Sequence, residues 1–420
     1  MKSLDVEFVR QHFPAFSQDT LIKGAFFDSA AGSFPCQETI DALHHFYHDL
    51  KVQPGNPYPV SERGMALMQQ GKQRWARALG VATHEVGFGP STSQNTYVLA
   101  QAFASLWQPG DEVIVTSQDH ESNIGAMLRG AETSGATVKF WQPDPETGLL
   151  QLEQLQSLLT EKTKLVCFPH ASNVTGQKNP AHDIIRLAKS VGAYTLVDGV
   201  AYAPHAIPDV GSLGADIYVF SLYKVYSVHL GVIVVREELL EKLPKQGHYF
   251  KTGLDVNDRL VPAGPDHAQV ASTNGVLDYY ETLSAHHGGP TEAKLSDGQS
   301  IEFEVARFVS KLMLTHEQTL VSPLLDCLEN LQSVRLLGSP VADDHRCPLV
   351  SFSAMNDEPS DLRHILCDQD VMVTAGHYYA PRLLEQVGLE ADRGVVRISM
   401  AHYNNLDDVS LLVSKLQSLL

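Results

Sequence analysis

The sequence predicts an α/β fold, with a large domain on a mostly parallel sheet and a smaller α+β domain at the C-terminal end. Three observations predict it. From about residue 70 to 245, short β-rich runs alternate with helical stretches, the pattern of βαβ units. Several of those runs are apolar throughout, as strands covered on both faces are. The chain has 420 residues, more than one hydrophobic core usually serves, so two domains are expected.

The strands of the first region are expected at "DEVIVTS", "ATVKFWQ", "KLVCFPH", "AYTLVDG", "ADIYVFS" and "LGVIVVR". Helical patterns such as "HDIIRLAKSV" lie between them, and "FGPSTSQNTYVLAQAF" opens a helix after a hydroxyl-rich turn. In such sheets ligands sit beyond the C-terminal ends of the strands. After about residue 245, "KTGLDVNDRLVPAGPDHAQ" and "SAHHGGPTEAKLSDGQS" read as loops, and a long helix follows near "SIEFEVARFVSKLMLTHEQTLV". The remainder mixes strands ("SVRLLGS", "CPLVSFSA", "GVVRISM") with helices ("PSDLRHILCDQ", "LDDVSLLVSKLQSLL"). The expected division is an N-terminal segment 1–30, a large domain 31–290 and a small domain 291–420.

Composition narrows the function. Apolar residues make up 43% and charged residues 19%, an ordinary globular balance. No apolar run reaches about 18 residues, so no membrane span is expected. The opening "MKSLDVEFVRQHFPAF" is acidic and interrupted, unlike a signal peptide. A net charge of −18 argues against nucleic acid or an anionic membrane surface as the main partner, so an anionic ligand needs a local site. The five cysteines are scattered, odd in number and without a CxxC pair, which suits a reducing cytoplasm rather than a disulfide framework. The nineteen histidines show no HExxH-like spacing, and no metal site is expected.

Lys224 lies in "DIYVFSLYKVYSVHLGVIVV", where a strand runs into a polar turn and another strand begins after Gly231. Partial burial there would disfavour the ammonium and leave an amine able to attack an aldehyde. Taken alone, a surface lysine is the plainer reading. Asp198, at the end of the apolar "AYTLV", alters that balance. A carboxylate there needs a charged partner, and a protonated pyridine nitrogen is one; a helix cap is the alternative. Ser91, Thr92 and Ser93 precede a helix whose free N–H groups suit a phosphate, or they are a plain N-cap. His120 follows a strand at the same edge, either to stack on an aromatic ring or as a solvated loop residue. Asn173 ends a further strand, where Asn is often a turn former. Arg397 sits in an otherwise apolar strand and wants an anion, a substrate carboxylate or a structural partner.

The order of these pieces carries more than any one of them. The succession "FFDSAAG", "GPSTSQNT", "SQDHESNI", "PHASNVTG", "LVDGVAYAPH", "FSLYKVYSVHLGVIV" and "RISMAHYN" resembles the class V aminotransferases, and within them the cysteine desulfurase/selenocysteine lyase group. The resemblance runs from about residue 20 to the C-terminus. It implies a fold-type I pyridoxal phosphate enzyme with a seven-stranded-type sheet, usually a homodimer, acting on an amino acid through an external aldimine. It implies that Lys224 forms the Schiff base and that Asp198 pairs with the pyridine nitrogen. His120 would stack on the ring, Thr92, Ser93, Ser221 and Tyr223 would lie on the phosphate side, and Asn173 near the ring hydroxyl. Arg397 would bind the substrate carboxylate, with Ala30, His377 and Tyr379 also at the substrate.

This chain departs from the group's pattern at several positions. Tyr379, in "AGHYYAP", stands where the desulfurase loop cysteine would be, and Cys367 upstream reads as a core thiol on a helix. Ala201 replaces a glutamine or histidine, Tyr223 replaces a histidine, and Pro265 in "GPDH" replaces a threonine that lends a phosphate contact across the dimer. A lyase on a cysteine- or selenocysteine-like substrate is therefore the favoured reading. An aminotransferase or epimerase, and a catalytically reduced cofactor-binding partner protein, stand as alternatives.

Overall fold

The computed structural model describes residues 3–17, 23–295 and 300–420. The first strand, β1 (Ala25–Phe26), is short and pairs far along the chain. Seven strands then build the main sheet: β2 (Val86–Gly89), β3 (Glu112–Thr116), β4 (Thr137–Trp141), β5 (Thr163–Pro169), β6 (Tyr194–Asp198), β7 (Ile217–Ser221) and β8 (Gly231–Val235). Their order is β2-β8-β7-β6-β5-β3-β4; only β8 runs against the others. Five more strands follow: β9 (Val334–Leu337), β10 (Leu349–Ala354), β11 (Val371–Met372), β12 (Thr374–Gly376) and β13 (Val395–Ser399). An antiparallel sheet has the order β12-β13-β10-β9, and β1 pairs in parallel with β11.

The six expected strands of the main sheet are all present. Where their apolar character is unbroken, it has a direct cause. Alternate residues feed two separate cores, Ile114, Val166, Phe168, Val197, Tyr218 and Phe220 on one face and Val115, Leu165, Cys167, Leu196, Ile217 and Val219 on the other. The second face is covered by the helices Thr92–Ala104 and Glu121–Ser134 through Leu99, Phe103, Ile124 and Met127. The long helix Ile301–Glu329 joins two cores: Val305, Val309 and Met313 pack with the main sheet, and Leu320, Leu324 and Leu328 pack under the antiparallel sheet. Phe27 belongs to that second core, and Asp28 bridges to Ser399.

Two segments read as loops differ from expectation. The first, over 251–269, contains the helix Val256–Leu260 and the start of His267–Ser272, capped by Asp255 and Asp266. They are too short to show a helical period. The second begins inside the helix Asn274–His286, and its residues 296–299 lie outside the described residues, as do 1–2 and 18–22 of the N-terminal segment. Cys367 is exposed rather than a core thiol, because it ends the helix Pro359–Cys367 on the side away from Leu362 and Leu366. No helix among the described residues is long and apolar enough to cross a membrane.

One close approach fixes the geometry of the sheet edge. A Cβ on Gly231 would lie 2.4 Å from the Ser91 carbonyl carbon and 2.5 Å from the Thr92 nitrogen, so β8 touches the start of the Thr92–Ala104 helix backbone to backbone. Gly231→Ala is expected to destabilise the protein by about 1–3 kcal/mol, since backbone on both sides must yield. Urea unfolding measures it; an unchanged midpoint would show that the helix start can move.

Candidate active site

Strand order brings most of the sequence candidates to one edge of the main sheet, whereas Arg397 lies on β13 of the antiparallel sheet and His377 and Tyr379 follow β12. β6 and β7 are parallel neighbours, with Asp198 opposite Val219, so Asp198 and the turn after Ser221 emerge side by side. That turn is a 3-10 helix, Leu222–Lys224, ending on Lys224. The "FFDSAAGSF" segment straps it in place: the Ser33 N–H donates to the Tyr223 carbonyl (3.1 Å), and the Ser33 hydroxyl accepts the Tyr226 N–H (2.9 Å). Tyr226 holds a left-handed φ of 57°, and its buried hydroxyl donates to the Pro204 carbonyl.

A cleft of about 460 Å³, counting its open mouth, lies over this edge. Thr92, Ser93, His120, Asn173, Asp198, Ser221, Tyr223 and Lys224 line it, together with Asp119, Ser122 and Ala201. Ser91 does not. Its hydroxyl is occupied as the helix N-cap, accepting the Gln94 N–H at 3.1 Å. Ala30 lines a smaller cavity on the other side of Lys224, and His377 Nδ1 accepts the Tyr379 N–H.

Lys224 is buried, and burial together with the Arg397 charge brings its amine down to about 8, against the pull of Asp198 and Asp28. Burial raises the Asp198 carboxyl, and hydrogen bonds oppose that shift: Val200 N–H to Oδ1 (2.7 Å) and Asn123 Nδ2 to Oδ2 (2.5 Å). His120 is neutral, lowered to about 4 by burial and then by the Lys224 and Arg397 charges. The His120 Nδ1 atom accepts the Ser122 N–H, and its ring lies 5.0 Å from that of Tyr379. Thr92 and Ser221 share a hydrogen bond of 2.7 Å. Arg397, buried on β13, donates to the Asn173 carbonyl (3.1 Å), lies 3.6 Å from Asp28 and stacks 3.9 Å from the Tyr378 ring centroid. The Asn173 amide donates to the Tyr378 carbonyl.

Four residues of this constellation had no role in the sequence reading. Asp28, Asp119 and Asn123 sit inside quoted motifs, but a motif does not say which members touch. Tyr378 gave no separate signal from Tyr379. Both tyrosines hold left-handed φ values, 52° and 58°, which turn the segment so that one ring covers Arg397 and the other faces His120.

A family model described as Aminotransferase class-V matches residues 25–412. The chain belongs to the class-V aminotransferase family. It is 32% identical over 426 residues to Aminotransferase-like protein FGM3 of Gibberella zeae, covering 100% of this chain and 99% of that protein. It is 30% identical over 410 residues to a probable cysteine desulfurase of Pseudomonas aeruginosa, covering 95% and 94% of the two. The apo cysteine desulfurase of Thermococcus onnurineus shares the fold, with a TM-score of 0.85 at 23% identity over 100% and 99% of the chains. The chain's relatives include proteins named cysteine desulfurases, and the resemblance carried by its motifs implies pyridoxal phosphate as the bound group. The residues present suit that group: an amine held partly neutral, a buried carboxylate facing the cleft, a neutral imidazole, and hydroxyls at a helix start.

The direction of the Lys224 shift gives a test. Above about pH 8 the neutral amine predominates, so imine formation with added pyridoxal phosphate in the cofactor-stripped protein should rise with pH and level off past that value. Stopped-flow absorbance measures it. A midpoint near about 10.4, the ordinary lysine value, would contradict the burial described here.

Proposed function

We propose that the protein holds pyridoxal phosphate as a Schiff base on Lys224 and acts as a lyase on an amino acid with a sulfur or selenium leaving group at Cβ. The observation that carries this is the buried pair of Lys224 and Asp198 at the ends of adjacent parallel strands. Relatives named cysteine desulfurases support the substrate class.

When bound, the cofactor supplies an aldehyde for the substrate's amino group and a ring that accepts negative charge from Cα. Thr92, Ser93 and Ser221 offer hydroxyls and a helix N-terminus to the phosphate. Asp198 offers a charge to the pyridine nitrogen, and the uncharged His120 ring packs over the cleft without adding a competing cation. Lys224, neutral in part at physiological pH, takes the proton from Cα. Arg397 binds the substrate carboxylate, whose charge then competes with Asp28 for the guanidinium. We read the protein as a cytoplasmic homodimer; the exposed Tyr249 and Phe250 side chains support a covering partner copy.

Among the described residues no cysteine lines the cleft. Cys36, Cys167, Cys327 and Cys347 are buried, and the exposed Cys367 is not part of its wall. Tyr379, 66% exposed, sets its ring 5.0 Å from that of His120, which lines the cleft. A phenol oxygen is a hard nucleophile and cannot take sulfur as a persulfide, whereas selenium leaves carbon more readily. The test is a panel of amino acids scored for sulfide, selenide, pyruvate, alanine and keto-acid products. Slow sulfide release from cysteine is expected, with faster cleavage of selenocysteine, and Tyr379→Cys should raise sulfide release. Rapid desulfuration with a persulfide trapped on a native cysteine would overturn this reading. Keto-acid products, or inversion at Cα, would favour the aminotransferase or epimerase.

A further inference from the structure

Behind Asp198 lies a second carboxylate that the chemistry above leaves unused. Asp119 is the residue before His120 and is fully buried, as is Asn123 one turn into the Glu121–Ser134 helix. The single Asn123 Nδ2 atom donates to both acids, to Asp119 Oδ1 at 3.0 Å and to Asp198 Oδ2 at 2.5 Å. The His120 backbone N–H also donates to Asp119 Oδ1 at 2.7 Å. Two carboxylates, both nearly buried in the wall of the cleft, thus share one amide.

The groups around this pair are unequal. Asp198 faces the Lys224 amine, with the Tyr218 and Tyr223 phenols near it. Asp119 faces Asp198 and the Cys167 thiol, which burial keeps protonated, and it adjoins the neutral His120; among the described residues no cation is set against it. Asp119 Oδ2 and Asn123 Oδ1 are buried acceptors without a partner among the described residues. Ionised, Asp119 would be a buried charge with no counter-charge and an orphaned oxygen, the costly arrangement. Protonated, it carries an O–H donor.

We propose that Asp119 is a neutral carboxylic acid and, with Asn123, forms a positioning pair that fixes the Asp198 Oδ2 atom and leaves the negative charge on Asp198. The inference rests on the reading that Asp198 answers a positive ring nitrogen in the cleft. Burial and the Asp198 charge both push the Asp119 carboxyl upward, in the direction the geometry requires.

Infrared difference spectra between the full-length wild type and its Asp119→Asn variant, taken with bound pyridoxal phosphate and again after stripping it, test the proton. A protonated-carboxyl C=O band is expected at neutral pH in both forms and should vanish in Asp119→Asn. A spectrum that Asp119→Asn leaves unchanged, or a band that vanishes in Asp198→Asn instead, overturns the proposal. The positioning role has its own readout. Asn123→Ala should weaken cofactor retention by the folded protein by roughly tenfold or more, the scale of one hydrogen bond to a charged group, measured at a temperature below the lowered melting point of the stripped variant. Asp119→Asn, a neutral group of the same shape, should retain the cofactor nearly as wild type does. Equal retention in Asn123→Ala would remove the positioning role. If the protein takes up no pyridoxal phosphate at all, the functional reading fails separately, and the carboxyl band still decides whether Asp119 holds a proton.

Discussion

A carboxylate at the end of a buried strand has to be answered, because a charge taken out of water without a partner is among the most expensive things a fold can hold. Asp198 is such a group, and much of this structure is arranged around it. Its flanks are met by the Val200 N–H and the Asn123 amide, which fix its direction without cancelling its charge. The neighbouring strand ends on a turn that delivers Lys224 to the same edge. The sheet holds both strands still, because each face of β6 and β7 is sealed by its own core.

The same constraint explains which parts of the site are rigid. The Lys224 turn is tied to Ser33, and the segment carrying Ser33 is anchored through Asp28 to the strand that carries Arg397. Arg397, Asp28, Asn173 and Tyr378 thus form one connected group across three parts of the chain. A change at any one of them is felt at the others.

Much of this was legible in the sequence, and the reasons are specific. Several strands buried on both faces are apolar throughout, and that run of apolar residues together with the β-rich edge strand Thr137–Trp141 made six of the seven main-sheet strands visible. β2 was not, because "VGFG" carries two glycines where strands usually carry bulk. Those glycines answer tertiary crowding: a Cβ on Gly87 would meet Val256 at 2.5 Å, and one on Gly89 would meet Asn95 at 1.9 Å. Among candidate residues, Lys224, Asp198, His120, Asn173, Thr92, Ser93, Ser221 and Tyr223 do converge on one cleft. Ser91 does not, because capping and ligand binding use the same hydroxyl and sequence cannot say which wins. The bridging of Asp119 to Asp198 through Asn123 was hidden for a related reason. Hydrogen bonds between residues far apart in sequence depend on strand order, and no local pattern encodes strand order.

The central claim is that Lys224, set beside Asp198 at the sheet edge, is the one lysine that carries the cofactor. Borohydride reduction of the protein reconstituted with pyridoxal phosphate, followed by peptide mapping, tests it most directly. A single reduced label is expected on the peptide containing Lys224, and its loss in Lys224→Ala. A stable label on another lysine, with Lys224→Ala still fully loaded, would contradict it.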